Sequence, residues 1–302
     1  MVDYYNEIKN ELINNEVNKR VKDYSKNKYE LERYYNVGKL LVEAQGGEER
    51  AKYGDSLIRE YANRLKTEVG CRYSFRMLRK MRQFYLTFNE KIWLTLSAKL
   101  TWSHYCELLS IKEINQVNYY INIAINQNLS VRKLRERIKS KEYERLPDST
   151  KRKLINKEDT IVSDFVKNPI LIKKTKNYEV VSEKILKQII IEDIESFMEE
   201  LGEGFCFIGS KYKIKIDNTY NYIYLLLFNY EYNCFVVVEL KITELKKEHI
   251  GQIQVYMNYI DNNLKKVYQD KTIGIIICKE DNQYVITYSS DDRILSRTYY
   301  LV

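Results

Sequence analysis

Histidine, proline and cysteine are scarce in this chain of 302 residues, and the scarcity excludes several classes of protein. Two histidines and five scattered cysteines without close spacing argue against a structural zinc site and against an HNH-type centre, and the cysteines fit reduced thiols in a cytoplasmic protein. Apolar runs stay well short of the roughly 18 residues that a membrane span needs, and the charged N-terminus lacks the apolar stretch of a secretory signal. A Gly-Lys-Ser/Thr phosphate loop is also missing. A soluble protein that uses other chemistry is expected.

Charge is distributed unevenly along the chain. The residues up to Tyr178 contain 36 Lys and Arg against 23 Asp and Glu, whereas those from Glu179 onward contain 14 against 19. A basic half joined to an acidic half favours a polyanionic partner for the basic part, most of all DNA. A lysine-rich helical domain without such a partner is the alternative.

Hydrophobic spacing predicts a helical domain over residues 1–145. Ser74 is a candidate N-cap for a helix over Phe75–Phe88. Residues 146–177 hold both prolines and dense charge, and are predicted to form a linker with a short helix near Ile161–Phe165. The other helices are predicted around Tyr34–Leu41 and Leu57–Leu65, and over Thr101–Leu109, Ile111–Asn126 and Leu129–Lys141.

Residues 178–302 change character and predict an α/β domain with the order αβββαβ. Short polar segments separate three consecutive strands, and the crossover from the third strand to the fourth should be parallel and right-handed. The elements are a helix over Ser182–Leu201, strands over Phe205–Ile216, Tyr222–Phe228 and Cys234–Leu240, a helix over Lys246–Asn262, and strands over Thr272–Cys278 and Tyr284–Ser289.

A charged Glu239 and Lys241 end an otherwise apolar strand, and strand alternation points both to one face. Phosphodiester hydrolysis uses a carboxylate to hold a divalent cation and an ammonium to steady the attacking hydroxide or the developing charge. The pair therefore indicates a metal-dependent nuclease site. The alternative is that both side chains mark the solvated end of the strand.

Two further positions strengthen the nuclease interpretation. Gln252 and Tyr256 are four residues apart and share a face of the next helix, where they could bind phosphate, base or a metal-bound water. Glu192 lies in an apolar helical stretch and could complete a metal site with Glu239. The alternatives are core packing for Tyr256 and an exposed position for Glu192.

A cluster of cations surrounds the helix that begins near Ser74. Such a helix suits docking on the backbone of duplex DNA, while a solvated charged face is the alternative. The cluster comprises Arg72, Arg76, Arg79, Lys80 and Arg82.

From about residue 10 to the end, the chain resembles the bacterial two-domain YhcG family. The resemblance implies an N-terminal helical, winged-helix-like DNA-binding domain and a C-terminal PD-(D/E)XK nuclease domain of the restriction-endonuclease-like fold. It implies Mg²⁺ or Mn²⁺ as cofactor, with Glu239, Lys241, Gln252 and Glu192 at matching positions. The matching stretches are Arg79–Tyr85, Glu199–Gly209, Cys234–Ile242, Gly251–Tyr256 and Thr272–Cys278.

Tyr224 departs from the family pattern, which has an aspartate at this position of the middle strand. A phenol is a poor magnesium ligand at neutral pH. The sequence therefore leaves open a DNA-directed nuclease, whose catalysis Tyr224 impairs, and a catalytically inactive DNA-binding or assembly protein that keeps the fold. A protein-interaction scaffold is the third hypothesis, and homo-oligomerisation remains open.

Overall fold

A computed structural model describes residues 3–18, 26–47, 55–88, 100–174, 176, 178, 181–288 and 291–302. The chain forms two compact units, Met1–Tyr143 and Glu144–Val302. Among the described residues, no helix combines the length and the apolar character that a membrane crossing requires.

The described residues of the first unit form helices only, so its predicted helical character is confirmed and its winged-helix character stays a prediction. The Ser74 hydroxyl accepts a hydrogen bond from the Met77 N–H (3.4 Å), which confirms the predicted N-cap. The helices are α1 (Tyr4–Asn18), α2 (Lys26–Ala44), α3 (Asp55–Glu68), α4 (Phe75–Thr87), α5 (Trp102–Leu108), α6 (Ile114–Asn126) and α7 (Val131–Lys139).

The hydrophobic core of the first unit is built by the four helices α1, α2, α3 and α4. It contains apolar side chains such as Leu12, Leu41 and Leu78, all fully buried. Gly38 of α2 lets α2 approach α4 closely, since a Cβ at this position would lie 2.2 Å from the Met81 carbonyl oxygen. A larger residue at position 38 would force the two helices apart.

The second unit contains the predicted αβββαβ order with additional elements on either side. Its elements are α8 (Asp148–Asn156), a 3₁₀ turn (Val162–Phe165), β1 (Ile170–Ile172), α9 (Glu183–Glu192), α10 (Ile194–Leu201), β2 (Phe205–Ile216), β3 (Thr219–Asn229), β4 (Cys234–Leu240), α11 (Lys247–Asn263), β5 (Asp270–Cys278), α12 (Gln283–Thr287) and β6 (Ile294–Leu301).

These strands form one mixed sheet in the order β1-β6-β5-β4-β3-β2. β2, β3 and β4 are antiparallel neighbours, whereas β4 and β5 run parallel across α11, as predicted. The pairs β5/β6 and β6/β1 are also parallel. One face of the sheet packs against α9 and α10 through residues such as Val238, and the other packs against α11 through residues such as Val237. The hand of the β4–β5 crossover stays a prediction.

Two predicted elements of the second unit were wrong. In place of the strand predicted over Tyr284–Ser289, residues 284–287 belong to the helix α12, and Ser289 lies outside the described residues. The Asn282 side chain accepts a hydrogen bond from the Val285 N–H (3.3 Å) and caps this helical turn. The single helix predicted over Ser182–Leu201 is broken at Asp193. That residue leaves helical geometry (φ −133°, ψ 57°) and its carboxylate starts α10 by accepting from the Ser196 N–H (3.2 Å).

The stretch 146–177, predicted as a linker, contributes α8, the 3₁₀ turn and the sheet strand β1 to the second unit. Arg145 anchors its beginning, because its guanidinium pairs with the Glu200 carboxylate and donates to the Pro169 carbonyl oxygen (2.8 Å). Glu200 in turn accepts from the Leu171 N–H of β1 (3.0 Å). Polar contacts with distant residues therefore order this stretch. Local hydrophobic periodicity does not reveal such contacts, so the sequence predicted a linker.

Candidate active site

Glu239 lies at the carboxyl end of β4 and is only 4% exposed. Its Oε1 accepts a hydrogen bond from the Tyr224 N–H of the neighbouring strand (3.1 Å). Burial raises the pKa of this carboxyl, although the Tyr224 N–H and the positive charges of Lys241 and Lys187 lower it in part. A carboxylate thus lies at an apolar strand end where ionisation is unfavourable.

Lys241 is held in place by two side chains of α11. Its ammonium donates to Gln252 Oε1 (3.2 Å), and Gln252 Nε2 donates to the Tyr256 hydroxyl (3.0 Å). The structure therefore joins Lys241, Gln252 and Tyr256 in one chain of hydrogen bonds beside Glu239. The chain fixes the Gln252 amide and directs the ammonium of Lys241 at the end of β4.

The first turns of α9 add two charged residues that the sequence analysis missed. The Lys187 ammonium pairs with Glu183 Oε1 (2.7 Å), and both residues act electrostatically on Glu239. Glu183 and Lys187 are four residues apart on the helix that Ser182 caps, and this spacing was the only signal in the sequence. The same spacing of opposite charges occurs on many exposed helices.

His249, on the first turn of α11, is the third missed neighbour of the site. Its Nδ1 accepts a hydrogen bond from the Lys246 N–H (3.2 Å). Burial and the charge of Lys241 lower its pKa, so the imidazole is neutral at pH 7.

Tyr224 takes the position of the expected aspartate and turns its ring toward α9. Its hydroxyl donates to the Lys187 carbonyl oxygen (2.9 Å), and the Lys187 ammonium lies 5.2 Å from the ring centroid. Burial raises the pKa of the phenol, and the charge of Glu239 raises it further. The phenol therefore stays protonated and cannot act as an anionic ligand.

The donor set of this site does not fit a resident Mg²⁺ or Mn²⁺. The two carboxylates, Glu239 and Glu183, are balanced by the two ammonium groups of Lys187 and Lys241, whereas a divalent cation prefers several oxygen ligands with excess negative charge. Within the described ranges, no group of three or more His, Cys, Asp and Glu residues is arranged to hold a metal ion. Asp217 lies beyond the far end of β3, at least about 17 Å along the strand from Tyr224, and does not supply the missing ligand.

Glu192, predicted as a metal ligand, lies on the last turn of α9. It accepts hydrogen bonds from Gln188 (2.8 Å) and Tyr178 (3.3 Å). The helix places it about 13 Å along the axis from Glu183, the α9 carboxylate that acts on Glu239. The structure does not bring Glu192 to Glu239, because α9 approaches the end of β4 with its first turns.

The predicted DNA-binding cations of the first unit separate into different environments. The Arg82 side chain is 11% exposed and pairs with Asp55 (3.5 Å), so it stabilises the fold rather than facing a ligand. Arg79 also reaches Asp55 (3.8 Å), with about half of its side chain exposed. Arg72 lies over the Tyr73 ring (5.1 Å). Arg82 is therefore the member of the predicted cluster that the structure removes from the surface.

Lys80 belongs to a cationic surface that spans α4, α5 and α7. Glu107 of α5 accepts two hydrogen bonds from the Arg135 guanidinium (3.0 and 2.8 Å). Arg135 lowers the pKa of the Glu107 carboxyl, and the charges of Lys80 and Lys139 lower it further. Burial raises the pKa of the Cys106 thiol, and the nearby charges of Lys80 and the exposed Arg76 oppose this rise. Several cations thus surround one carboxylate and leave the surface positive.

The two halves of the chain match two family models in order. Residues 7–145 match the DUF1016 N-terminal domain, and residues 163–300 match the YhcG PDDEXK nuclease domain. The chain is therefore similar to the two-domain YhcG family over most of its length. A curated family member, YhcG of Escherichia coli (strain K12), is named as a candidate nuclease; it is 28% identical over 284 residues, which are 82% of this chain and 76% of the relative.

Two solved structures show weaker similarity to the chain. A repair endonuclease from Pyrococcus abyssi and an EndoMS complex with double-stranded DNA are each 17% identical, with TM-scores of 0.28 and coverage of 42% of this chain. The chain spans about half the length of each, 49% and 48% respectively.

Replacing Glu239 by glutamine should stabilise the protein at neutral pH by on the order of 1 kcal/mol, since burial disfavours the charged form. Below the ordinary glutamate pKa both folded and unfolded carboxyls are protonated, so the gain should vanish in acid and grow as the pH rises toward neutrality. Thermal melting across pH measures it. The exposed Glu195→Gln is the control, and a Glu239→Gln gain that does not change with pH would contradict the assignment.

Proposed function

We propose that this protein is a DNA-binding member of its nuclease family whose hydrolytic centre is impaired. The centre keeps Lys241, Gln252 and Tyr256 in one chain of hydrogen bonds, and the charge of Lys241 acts on Glu239. The observation that carries the proposal is Tyr224: its protonated phenol stands where the second carboxylate is expected and is anchored to the main chain of α9.

The residues of the centre can bind a phosphodiester without efficient hydrolysis. Lys241, oriented by Gln252, presents an ammonium group to a phosphate oxygen, and Lys187 adds a second positive charge. Hydrolysis further requires a group that activates water, and Glu239 has one oxygen engaged by the Tyr224 N–H. Divalent metals supply this activation in the PD-(D/E)XK class generally, but the balanced charges here would hold Mg²⁺ or Mn²⁺ weakly.

The first unit is proposed to direct the protein to DNA. The cationic surface of Arg76, Lys80, Arg135 and Lys139 supports this role, since ammonium and guanidinium groups contact phosphates irrespective of base sequence. Arg72 and Arg79 remain candidate contacts at its margin. Binding through such a surface should weaken steeply as salt is added.

An active metal-dependent nuclease is the second candidate function. The retained Glu239 and the ordered Lys241–Gln252–Tyr256 chain favour it, because a site without any function would have no requirement for this arrangement. In this case Glu183 and Glu239 would be the carboxylates that hold a cation, after Glu183 releases Lys187.

A cleavage assay of the full-length protein distinguishes the two candidates. We expect the wild type to cut supercoiled plasmid and labelled oligonucleotides slowly or not at all with Mg²⁺ or Mn²⁺, at a rate near that of Glu239→Ala. Vigorous wild-type cutting that Glu239→Ala abolishes would establish the active nuclease instead. Vigorous cutting that survives Glu239→Ala would show that the chemistry is not at this site.

A further inference from the structure

Two tyrosines and two lysines form a stripe along one face of the β2–β3 hairpin. Lys213 is paired directly with Tyr222, and Lys215 with Tyr220, so the four side chains share a face. We call Lys213, Lys215, Tyr220 and Tyr222 the aromatic–lysine stripe. The alternate residues, such as Ile214, are buried on the opposite face against α11.

The stripe presents its rings to solvent. Tyr220 is 54% exposed and Tyr222 is 55% exposed. The Lys213 ammonium lies 3.7 Å from the Tyr220 ring centroid, which orders both side chains. β2 and β3 together contain three lysines and no acidic residue, although the chain from Glu179 onward contains 19 acidic against 14 basic residues. Core packing accounts for neither the exposed rings nor the local positive charge.

The stripe leads directly to the candidate active site. Tyr222 lies two positions before Tyr224 on β3, a separation of about 7 Å. The Tyr224 N–H contacts Glu239, and its ring contacts Lys187. A ligand that follows the exposed face from Tyr220 toward Tyr224 therefore approaches the Lys187 ammonium beside the Tyr224 ring.

We propose that the aromatic–lysine stripe binds a single-stranded segment of DNA, with bases stacked on Tyr220 and Tyr222 and phosphates on Lys213 and Lys215. This inference rests on the proposed function and names its substrate class. Exposed aromatic rings interleaved with lysines bind single strands, because every base offers a free face for stacking. Bases inside a duplex are stacked on one another and offer no such face. The backbone of the strand then reaches Lys187 at the candidate active site.

Fluorescence anisotropy with a labelled single-stranded oligonucleotide, in EDTA to prevent cleavage, tests the proposal on the full-length protein. We expect Tyr220→Ala/Tyr222→Ala to weaken single-strand binding at least about tenfold, since each stacked base contributes roughly fivefold or more. Tyr220→Phe/Tyr222→Phe keeps the rings and should bind as the wild type does. Lys213→Ala/Lys215→Ala should reduce the dependence of binding on salt.

Tyr230→Ala is the matched control, since this tyrosine is 60% exposed but follows the opposite end of β3. It should leave binding unchanged, and thermal melting should show that all variants are folded. Unchanged single-strand binding in Tyr220→Ala/Tyr222→Ala would overturn the proposal that the aromatic–lysine stripe binds DNA. Equal loss of binding to a duplex of the same sequence would overturn the single-strand assignment. A wild type that binds neither probe would overturn the proposed DNA-binding function itself.

Discussion

Tyr224→Asp should give the protein measurable Mn²⁺ binding and raise metal-dependent cleavage at least about tenfold over the wild type. The substitution adds a carboxylate beside Glu239 and gives the balanced group of Glu183, Glu239, Lys187 and Lys241 a net negative charge. Divalent cations bind where carboxylate oxygens outnumber nearby cations. The bound cation would relieve the repulsion between the two buried carboxylates.

Titration calorimetry with Mn²⁺ and the plasmid assay measure the two effects separately. Tyr224→Asn introduces a side chain of nearly the same shape as aspartate but without its charge, so it should gain neither Mn²⁺ binding nor cleavage. The double variant Tyr224→Asp/Glu239→Ala should lose both gains. Removal of the buried ring and its hydrogen bond to Lys187 should lower stability by about 3–5 kcal/mol, so the assays belong well below the melting temperature. If the aspartate and asparagine variants behave alike, Tyr224 is not what impairs the site.

Arg145→Ala should destabilise the second unit by about 3–5 kcal/mol, because it leaves the Glu200 carboxylate buried without its cation. The side chains of Arg145 and Glu200 are only 9% and 14% exposed, so solvent screens the lost interaction little. The guanidinium also bonds the Pro169 carbonyl oxygen, and Glu200 bonds the Leu171 N–H. The residues that lead into β1 should therefore loosen first.

Urea unfolding, followed by hydrogen exchange of residues 144–172, measures this loss. Arg152→Ala, at an exposed position of α8, is the control and should change stability by less than about 0.5 kcal/mol. Arg145→Met/Glu200→Met removes both charges and should recover part of the loss. A single variant as stable as the control would show that the ion pair does not hold this stretch in place.

The side of the candidate site built by β4 and α11 could be predicted from sequence. Glu239 and Lys241 are two residues apart on one strand, and Gln252 and Tyr256 are four apart on the next helix. Strand and helix periodicity fix which of these side chains share a face, so contacts within and between consecutive elements follow from spacing. The Ser74 cap was predictable for the same reason.

The side of the site built by α9 could not be predicted. Glu183 and Lys187 precede Glu239 by more than fifty residues, and only the packing of α9 on the sheet brings them together. Both Glu183 and Glu192 lie on α9, before the break at Asp193, and the apolar residues on both sides of this break continue the same helical pattern. Periodicity therefore favoured Glu192, while tertiary packing selected Glu183.

The bond between the Tyr224 hydroxyl and the Lys187 carbonyl oxygen has an evolutionary consequence. Tyrosine and aspartate codons differ only in the first base, so one transversion would place an acidic residue at position 224. The same mutation would remove the anchor between β3 and α9, and the first product would be a less stable protein. A lineage that acquires an acidic residue here would thus need compensating substitutions around α9 before or soon after that single base change.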